Sequence, residues 1–286
     1  MPAIRRILFP FDFSRQGSLA APFVRAIAGR CGAGVTLLSV VPPAWNTISA
    51  EIPVLVDLEE EGKERDLKLR LKKVADEQFR GLTVEAVTAV GDPALKIVKY
   101  AHAHQMDLIM LPTHGFGVFR SMLIGSVTAK ALHDADCPVW TATHAEEQRS
   151  PPLPRTVLCA VDGTSETIAL MQWAAGFTKT LGAELRLFHV VPPVSDWLAI
   201  PSERELQEQM RTEARAQLGS QLKQASVDAP LRVAVGKITD AIAEEARREE
   251  ADLIVIGRGS ANASMGRLRS HTYGIVRQSP CPVLSV

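Results

Sequence analysis

The sequence predicts an α/β protein of two tandem doubly wound domains, each a five-stranded parallel sheet with helices on both faces. Three observations lead there. The chain has 286 residues, room for about two domains. It repeats itself: "ILFPFDFS" at 7–14 returns as "VLCAVDGT" at 157–164, and "VTLLSVVPP" at 35–43 as "LRLFHVVPP" at 185–193, both at an offset of 150. "VG" at 90–91 and "DLIML" at 107–111 return at 235–236 and 252–256, offset 145, and "CPVW" at 137–140 returns as "CPVL" at 281–284, offset 144. Within each copy, apolar strand-like runs alternate with helical patterns, which implies a parallel sheet.

The falling offset places deletions in the second copy, one after the second strand and one after the fourth. The copies span about 1–145 and 153–286, joined by the polar, proline-rich "HAEEQRSPPLP".

The elements of the first copy follow in order. Ile4–Phe9 is a strand, Gln16–Cys31 a helix and Val35–Val41 a strand. The charged segment 58–80 carries apolar residues at helical spacing and makes a second helix. Thr83–Val90 is a strand, Pro93–His104 a helix, Asp107–Leu111 a strand, Ser126–His133 a helix and Pro138–Ala142 a last strand. The strands are mostly continuous apolar runs, as expected when both sheet faces are covered. In such sheets ligands sit at the carboxyl ends of the strands, where strand order reverses.

Composition narrows the function. Hydrophobic residues make up 46% and charged residues 22%, and 32 basic balance 32 acidic side chains. That argues against bulk electrostatic binding to nucleic acid or membrane. Cys31, Cys137, Cys159 and Cys281 form no CxxC pair and read as reduced, buried thiols. The N-terminal apolar run is too short for a signal peptide, and no apolar stretch reaches the roughly 20 residues of a membrane span. The expected location is the cytoplasm. The seven histidines show no metal spacing, so no metal site is assigned.

One stretch carries chemistry. "LPTHGFGVFRSMLIGSVTAKAL", 111–132, leaves the fourth strand and ends in a helix. Gly115 permits close backbone approach to a ligand, and Gly125-Ser126 opens the helix, whose unpaired N–H groups and dipole favour an anion. Ser126 either caps that helix or gives its hydroxyl to a phosphate. On residues alone, a phosphate site and a capped helix with a surface loop both remain open.

These residues resemble the universal stress protein family, twice over and across nearly the whole chain. The family signature is G-x2-G-x9-G-[ST] after the fourth strand, with an aspartate ending the first. The first copy has Pro112, Gly115, then nine residues, then Gly125-Ser126, and its first strand ends in Asp12. The resemblance implies an adenine nucleotide alpha hydrolase-like fold and an adenine nucleotide ligand: ATP, or ADP or AMP, with or without Mg. It implies that loop residues Pro112, His114, Gly115, Phe116 and Gly117 approach the phosphates. Gly125, Ser126 and Val127 would hold the phosphate tail. Pro10, Phe11 and Asp12 would flank the nucleoside, and Val40 would pair its backbone with the adenine edge. Pro112 replaces the first signature glycine and removes one N–H donor.

The second copy keeps Asp162 and Val190. Gly257 and Gly259 fall on Pro112 and Gly115, and Ser270 on Ser126, but Arg269 falls on Gly125. The expectation is a weaker, altered second site, either blocked by that side chain or using Arg258, Arg267 and Arg269 on phosphate.

No Walker loop, adenylating loop or catalytic triad is present, so no catalytic residue is assigned. The expected function is a nucleotide-binding stress-response module. The alternatives are a slow ATPase or self-phosphorylating protein, with His114 the one candidate base, and a nucleotide-free scaffold. The expected partners are an adenine nucleotide and no nucleic acid or membrane. The two copies are expected to pair as an intramolecular pseudo-dimer, with their last strands as candidate seam; whole chains could pair further as a homodimer. The mixed-charge helix at 204–224 reads as a solvated face, and His189, at the end of a strand, as packed.

Overall fold

A computed structural model describes residues 4–41, 53–112, 124–142, 153–194, 203–258 and 267–286, with side chains at 53–61, 63, 203 and 267–270 outside that description. The chain divides into two compact units, Ala3–Trp140 and Thr141–Val286.

The first unit follows the expected alternation: β1 (Arg6–Pro10), α1 (Arg15–Cys31), β2 (Gly34–Val41), α2 (Pro53–Gln78), β3 (Val84–Val90), α3 (Pro93–Ala103), β4 (Leu108–Pro112), α4 (Ser126–Asp134) and β5 (Val139–Ala142). Its strands run in the order β3-β2-β1-β4-β5. β1 pairs in parallel with β2 and β4, and β2 with β3. The order therefore reverses at β1 and β4, whose carboxyl ends border the crevice. Ile7, Leu8 and Phe9 are wholly buried, which is why β1 reads as an unbroken apolar run.

The second unit repeats the pattern: β6 (Thr156–Ala160), α5 (Thr167–Leu181), β7 (Glu184–Val191), α6 (Glu203–Ala225), β8 (Leu231–Val235), α7 (Ile238–Arg248), β9 (Leu253–Ile256), α8 (Arg267–Gln278) and β10 (Val283–Ser285). β6 pairs in parallel with β7 and β9, β7 with β8, and β10 with β9. At the amino end of each central strand, one carboxylate accepts two backbone N–H groups. Asp107 Oδ2 takes those of Arg5 and Arg6, and Asp252 Oδ2 those of Arg155 and Thr156.

Three expectations need correction. Helix α2 begins at Pro53 rather than near 58, because a proline is favoured in a helix's first turn. Cys159 and Cys281 are buried, but Cys31 and Cys137 are only half-buried. Cys31 is the last residue of α1, next to the exposed cap Gly32, where the helix end leaves the core. Helix α8 starts at Arg267, so Arg269 lies inside its first turn rather than at the cap. The C-terminal ends of α4 and α8 match at offset 144, so α8 is three residues longer at its start. Arginine and leucine continue a helix where glycine interrupts one.

Candidate functional site

The ladder itself prepares one side of the site. Alternate residues of a parallel strand turn their backbone groups to opposite neighbours. In β2 the Val35 N–H bonds Thr83 O on the β3 side, whereas Leu38 O accepts from Phe11 N–H on the β1 side. Val40, two residues beyond Leu38, therefore aims its N–H and C=O to the β1 side. The β1 ladder has already ended there, at Pro10↔Leu38. A donor and an acceptor of Val40 therefore lie side by side above the end of β1. The second unit repeats this. Val161 N–H bonds Phe188 O, and Val190 aims its backbone past the end of β6.

After each central strand the chain turns into a helix. In the first unit Pro10 is half-buried, Phe11 buried and Asp12 exposed. The Ser14 N–H donates to Asp12 Oδ1 at 2.9 Å, and the Ser14 hydroxyl caps α1 by accepting from Gly17 N–H at 3.0 Å. A Cβ at Gly17 would lie 3.2 Å from Asp12 Oδ1 and 3.4 Å from the Phe11 ring, so a side chain there would press on this turn. Phe13 adopts φ +60°, a left-handed conformation that strains a bulky residue. Its ring packs edge-on against Phe11 at 5.1 Å and receives the guanidinium of Arg70, from α2, at 4.5 Å.

In the second unit the same turn has other partners. Gly163 takes φ +78° without strain. Asp162 is half-buried. Its Oδ1 accepts from Thr164 N–H at 3.0 Å, Thr164 Oγ1 at 2.8 Å and Thr167 Oγ1 at 3.0 Å. Thr167 stands where Gly17 stands in the first copy, 150 residues earlier. From α6, the Gln217 amide donates to Gly163 O at 2.8 Å, and Gln221 to Gly163 O and Thr164 O.

At the far end of the first unit's crevice, α4 begins at Ser126. Gly125 is the N-cap and, lacking a side chain, makes no side-chain cap bond. Of the two roles open for Ser126, capping is therefore excluded: it is the first helical residue, and exposed. Val127 follows it, half-buried. Thr128 Oγ1 donates to Pro112 O at 3.1 Å, tying the start of α4 to the end of β4. The helix opening and the strand end thus flank the span that holds His114, Gly115, Phe116 and Gly117; these four lie outside the described residues, as does Gly259. In the second unit Gly257 follows β9 directly, and the side chains of Arg269 and Ser270 lie outside the description.

A cavity of about 240 Å³ opens in the second unit at the ends of β6 and β7. Its walls include Phe188, Val190, Met210, Ile238 and Ile242, and its polar lining is Asp162, His189, Glu213 and Gln217. Of the second-copy residues singled out from sequence, Asp162 and Val190 meet in it. His189 Nδ1 lies 2.7 Å from Val161 O. A carbonyl only accepts, so Nδ1 carries the proton. Helix α6 is more than the solvated face its charges suggested, since its inner side closes the cavity. Sequence reasoning missed Phe13, Ser14, Gly17 and Arg70, together with the cavity-lining residues of α6. The "DFS" and "DGT" turns, read as a pair requiring a left-handed residue at 13 and 163, could have found the first of them.

Comparison with known proteins adds to this geometry. The sequence model of the universal stress protein family matches residues 3–142 and 154–286. A universal stress protein of Mycolicibacterium smegmatis is 26% identical over 288 residues, covering 98% of this chain and 96% of that protein. A universal stress protein of Thermus aquaticus is 32% identical over 140 residues, 46% of this chain and 98% of the relative. The crystal structure of a universal stress protein from Archaeoglobus fulgidus shares the fold, with TM-score 0.68 and 22% identity over 100% of this chain and 97% of that one.

Proposed function

Because the chain belongs to the universal stress protein family, we propose that it is an adenine-nucleotide-binding regulatory protein whose ATP site lies in the first domain. The observation that carries this is the outward-facing backbone of Val40 beyond the end of β1. An uncharged donor–acceptor pair suits the adenine edge, which offers one acceptor and one donor side by side. Pro10, Phe11 and Asp12 border that position. Asp12 accepts from Ser14 N–H at Oδ1 and stays exposed, so its carboxylate can also receive a ribose hydroxyl.

The phosphate tail would lie toward α4. The glycine cap there offers the first-turn amides of Ser126 and Val127 no side chain of its own, and such amides with the helix dipole stabilise an anion. Gly115, Phe116 and Gly117 would close over the tail. Nucleotide occupancy would then alter how the protein meets a partner, which makes it a binding module rather than an enzyme.

A melting experiment tests the reading. A ligand at about 100 times its Kd stabilises the folded state by ~2.7 kcal/mol. Millimolar ATP should therefore raise the melting temperature of the wild-type chain clearly. Gly125→Arg, which places in the first domain the residue its repeat carries, should remove that shift. No shift with wild type would refute an ATP site, and an undiminished shift in the variant would refute its place at α4.

A further inference from the structure

We propose that Arg70 is a positioning residue for the first domain's ligand: its guanidinium, laid over the Phe13 ring, holds the turn after β1 in the conformation that fixes Asp12. The inference rests on the nucleotide reading of that domain and adds to it a residue on α2 that acts through another.

The starting point is backbone strain. Phe13 stands at φ +60°, where a bulky side chain crowds its own backbone. Such a conformation persists only where the surrounding contacts hold it. The second repeat shows that the turn itself does not need a phenylalanine, because Gly163 makes the same step at φ +78° without strain. A residue kept against strain has to be secured by its side chain.

That side chain is gripped from two directions. Inward, the Phe13 ring meets Phe11 at 5.1 Å, Phe11 meets Phe9 at 5.6 Å, and Phe9 meets Phe79, just beyond α2, at 6.2 Å. Phe9, Phe11 and Phe79 are buried, so this string is fixed in the core. Phe13 itself is only half-buried, and the Arg70 guanidinium lies over its ring at 4.5 Å. The grip is a feature of place as well as chemistry. Arg70 and Gln217 each precede the buried leucine of their helix, Leu71 and Leu218, and each reaches the left-handed residue of its turn.

Asp12 and Ser14 flank Phe13, and the Ser14 N–H donates to Asp12 Oδ1 across it. If φ at Phe13 relaxes to a negative value, that N–H turns away and the exposed Asp12 carboxylate loses its fixed direction. Ligand then binds only the fraction of molecules that keep the turn, and apparent affinity falls by that fraction. Removing the cation therefore weakens binding without removing any group that touches the ligand.

The test is calorimetric titration of the full chain with AMP and with ATP, in wild type, Arg70→Met, Phe13→Gly and the double variant. Arg70 is exposed, so Arg70→Met keeps the apolar stem and leaves the core intact, and circular dichroism checks that each variant is folded. Arg70→Met should weaken AMP and ATP equally, by about threefold, the worth of one exposed cation–π contact. In the Phe13→Gly chain, where the cation has no ring to hold, Arg70→Met should cause no further loss. Unchanged affinity in a folded Arg70→Met chain overturns the inference alone. So does a loss larger for ATP than for AMP, which would mean that Arg70 attracts phosphate directly, or a loss that persists in full in the Phe13→Gly background. A wild-type chain that binds neither nucleotide overturns the nucleotide reading, and this inference with it.

Discussion

The turns after β1 and β6 make the same left-handed step, Phe13 at φ +60° and Gly163 at φ +78°, and secure it by different chemistry. The first uses an edge-to-face ring pair and a guanidinium from α2, the second amide-to-carbonyl hydrogen bonds from α6. The aspartates that precede them differ more. Asp12 Oδ1 accepts from Ser14 N–H and the residue is exposed, whereas Asp162 Oδ1 gathers Thr164 N–H and the hydroxyls of Thr164 and Thr167 and is half-buried. A duplicated backbone therefore leaves one carboxylate exposed and commits the other to the turn. The exchange of Gly17 for Thr167 decides which.

The sharpest way to break this contrast is to remove both carboxylates. Asp162→Ala leaves a backbone N–H and two hydroxyls without their acceptor, Thr167 being almost wholly buried. It should cost about 2–4 kcal/mol, since unsatisfied buried donors carry their full desolvation penalty. Asp12→Ala should cost less than about 1 kcal/mol. Denaturant titration of both variants reads the difference, and equal losses would erase the distinction between an exposed and a structural aspartate.

Where the repeats agree, so should the losses. Asp107→Ala and Asp252→Ala each remove a carboxylate from two strand N–H groups and should cost about 1–2 kcal/mol in the same assay. A negligible loss from either would show that the shared clamp is not what anchors the central strand. The tethers from the second helix come next. Arg70→Ala should cost about 0.5–1 kcal/mol by loss of the cation–π contact with Phe13. Gln217→Ala should cost under about 0.5 kcal/mol, because Gln221 still donates to Gly163 O. A reversed order would mean the edge-to-face ring pair holds Phe13 without its cation.

The smallest effect concerns Cys159, which stands where the first copy has Phe9. Burial pushes its thiol up to about 12, so at pH 8 it carries almost no thiolate. Iodoacetamide followed by mass spectrometry should leave it unmodified in the native chain and modify it once unfolded. Labelling of native Cys159 would show that the β6 core opens more readily than its packing implies.

Much of this architecture was legible because duplication printed each strand twice. The offsets fixed the register of matching elements, and apolar runs such as 7–9 could lie only inside a covered sheet. The direction in which Val40 and Val190 turn their backbone groups follows from where the neighbouring strand stops, so a strand assignment correct to a residue carries it. The Phe13–Arg70 and Gly163–Gln217 contacts were not legible. They join residues over fifty positions apart, and helical periodicity alone does not say which turn of α2 or α6 comes to rest over the loop. The start of α8 was not legible either: the glycine motif sets Arg269 against Gly125, while the helix-forming preference of "RLRS" carries the helix back to Arg267.

The central claim, one nucleotide site whose phosphate end is the glycine-capped start of α4, is tested most directly by counting ligands. Titrating ATP into the wild-type chain should give a stoichiometry of one, and Gly125→Arg should bring it to none. A stoichiometry of two, or one that survives Gly125→Arg, would contradict it.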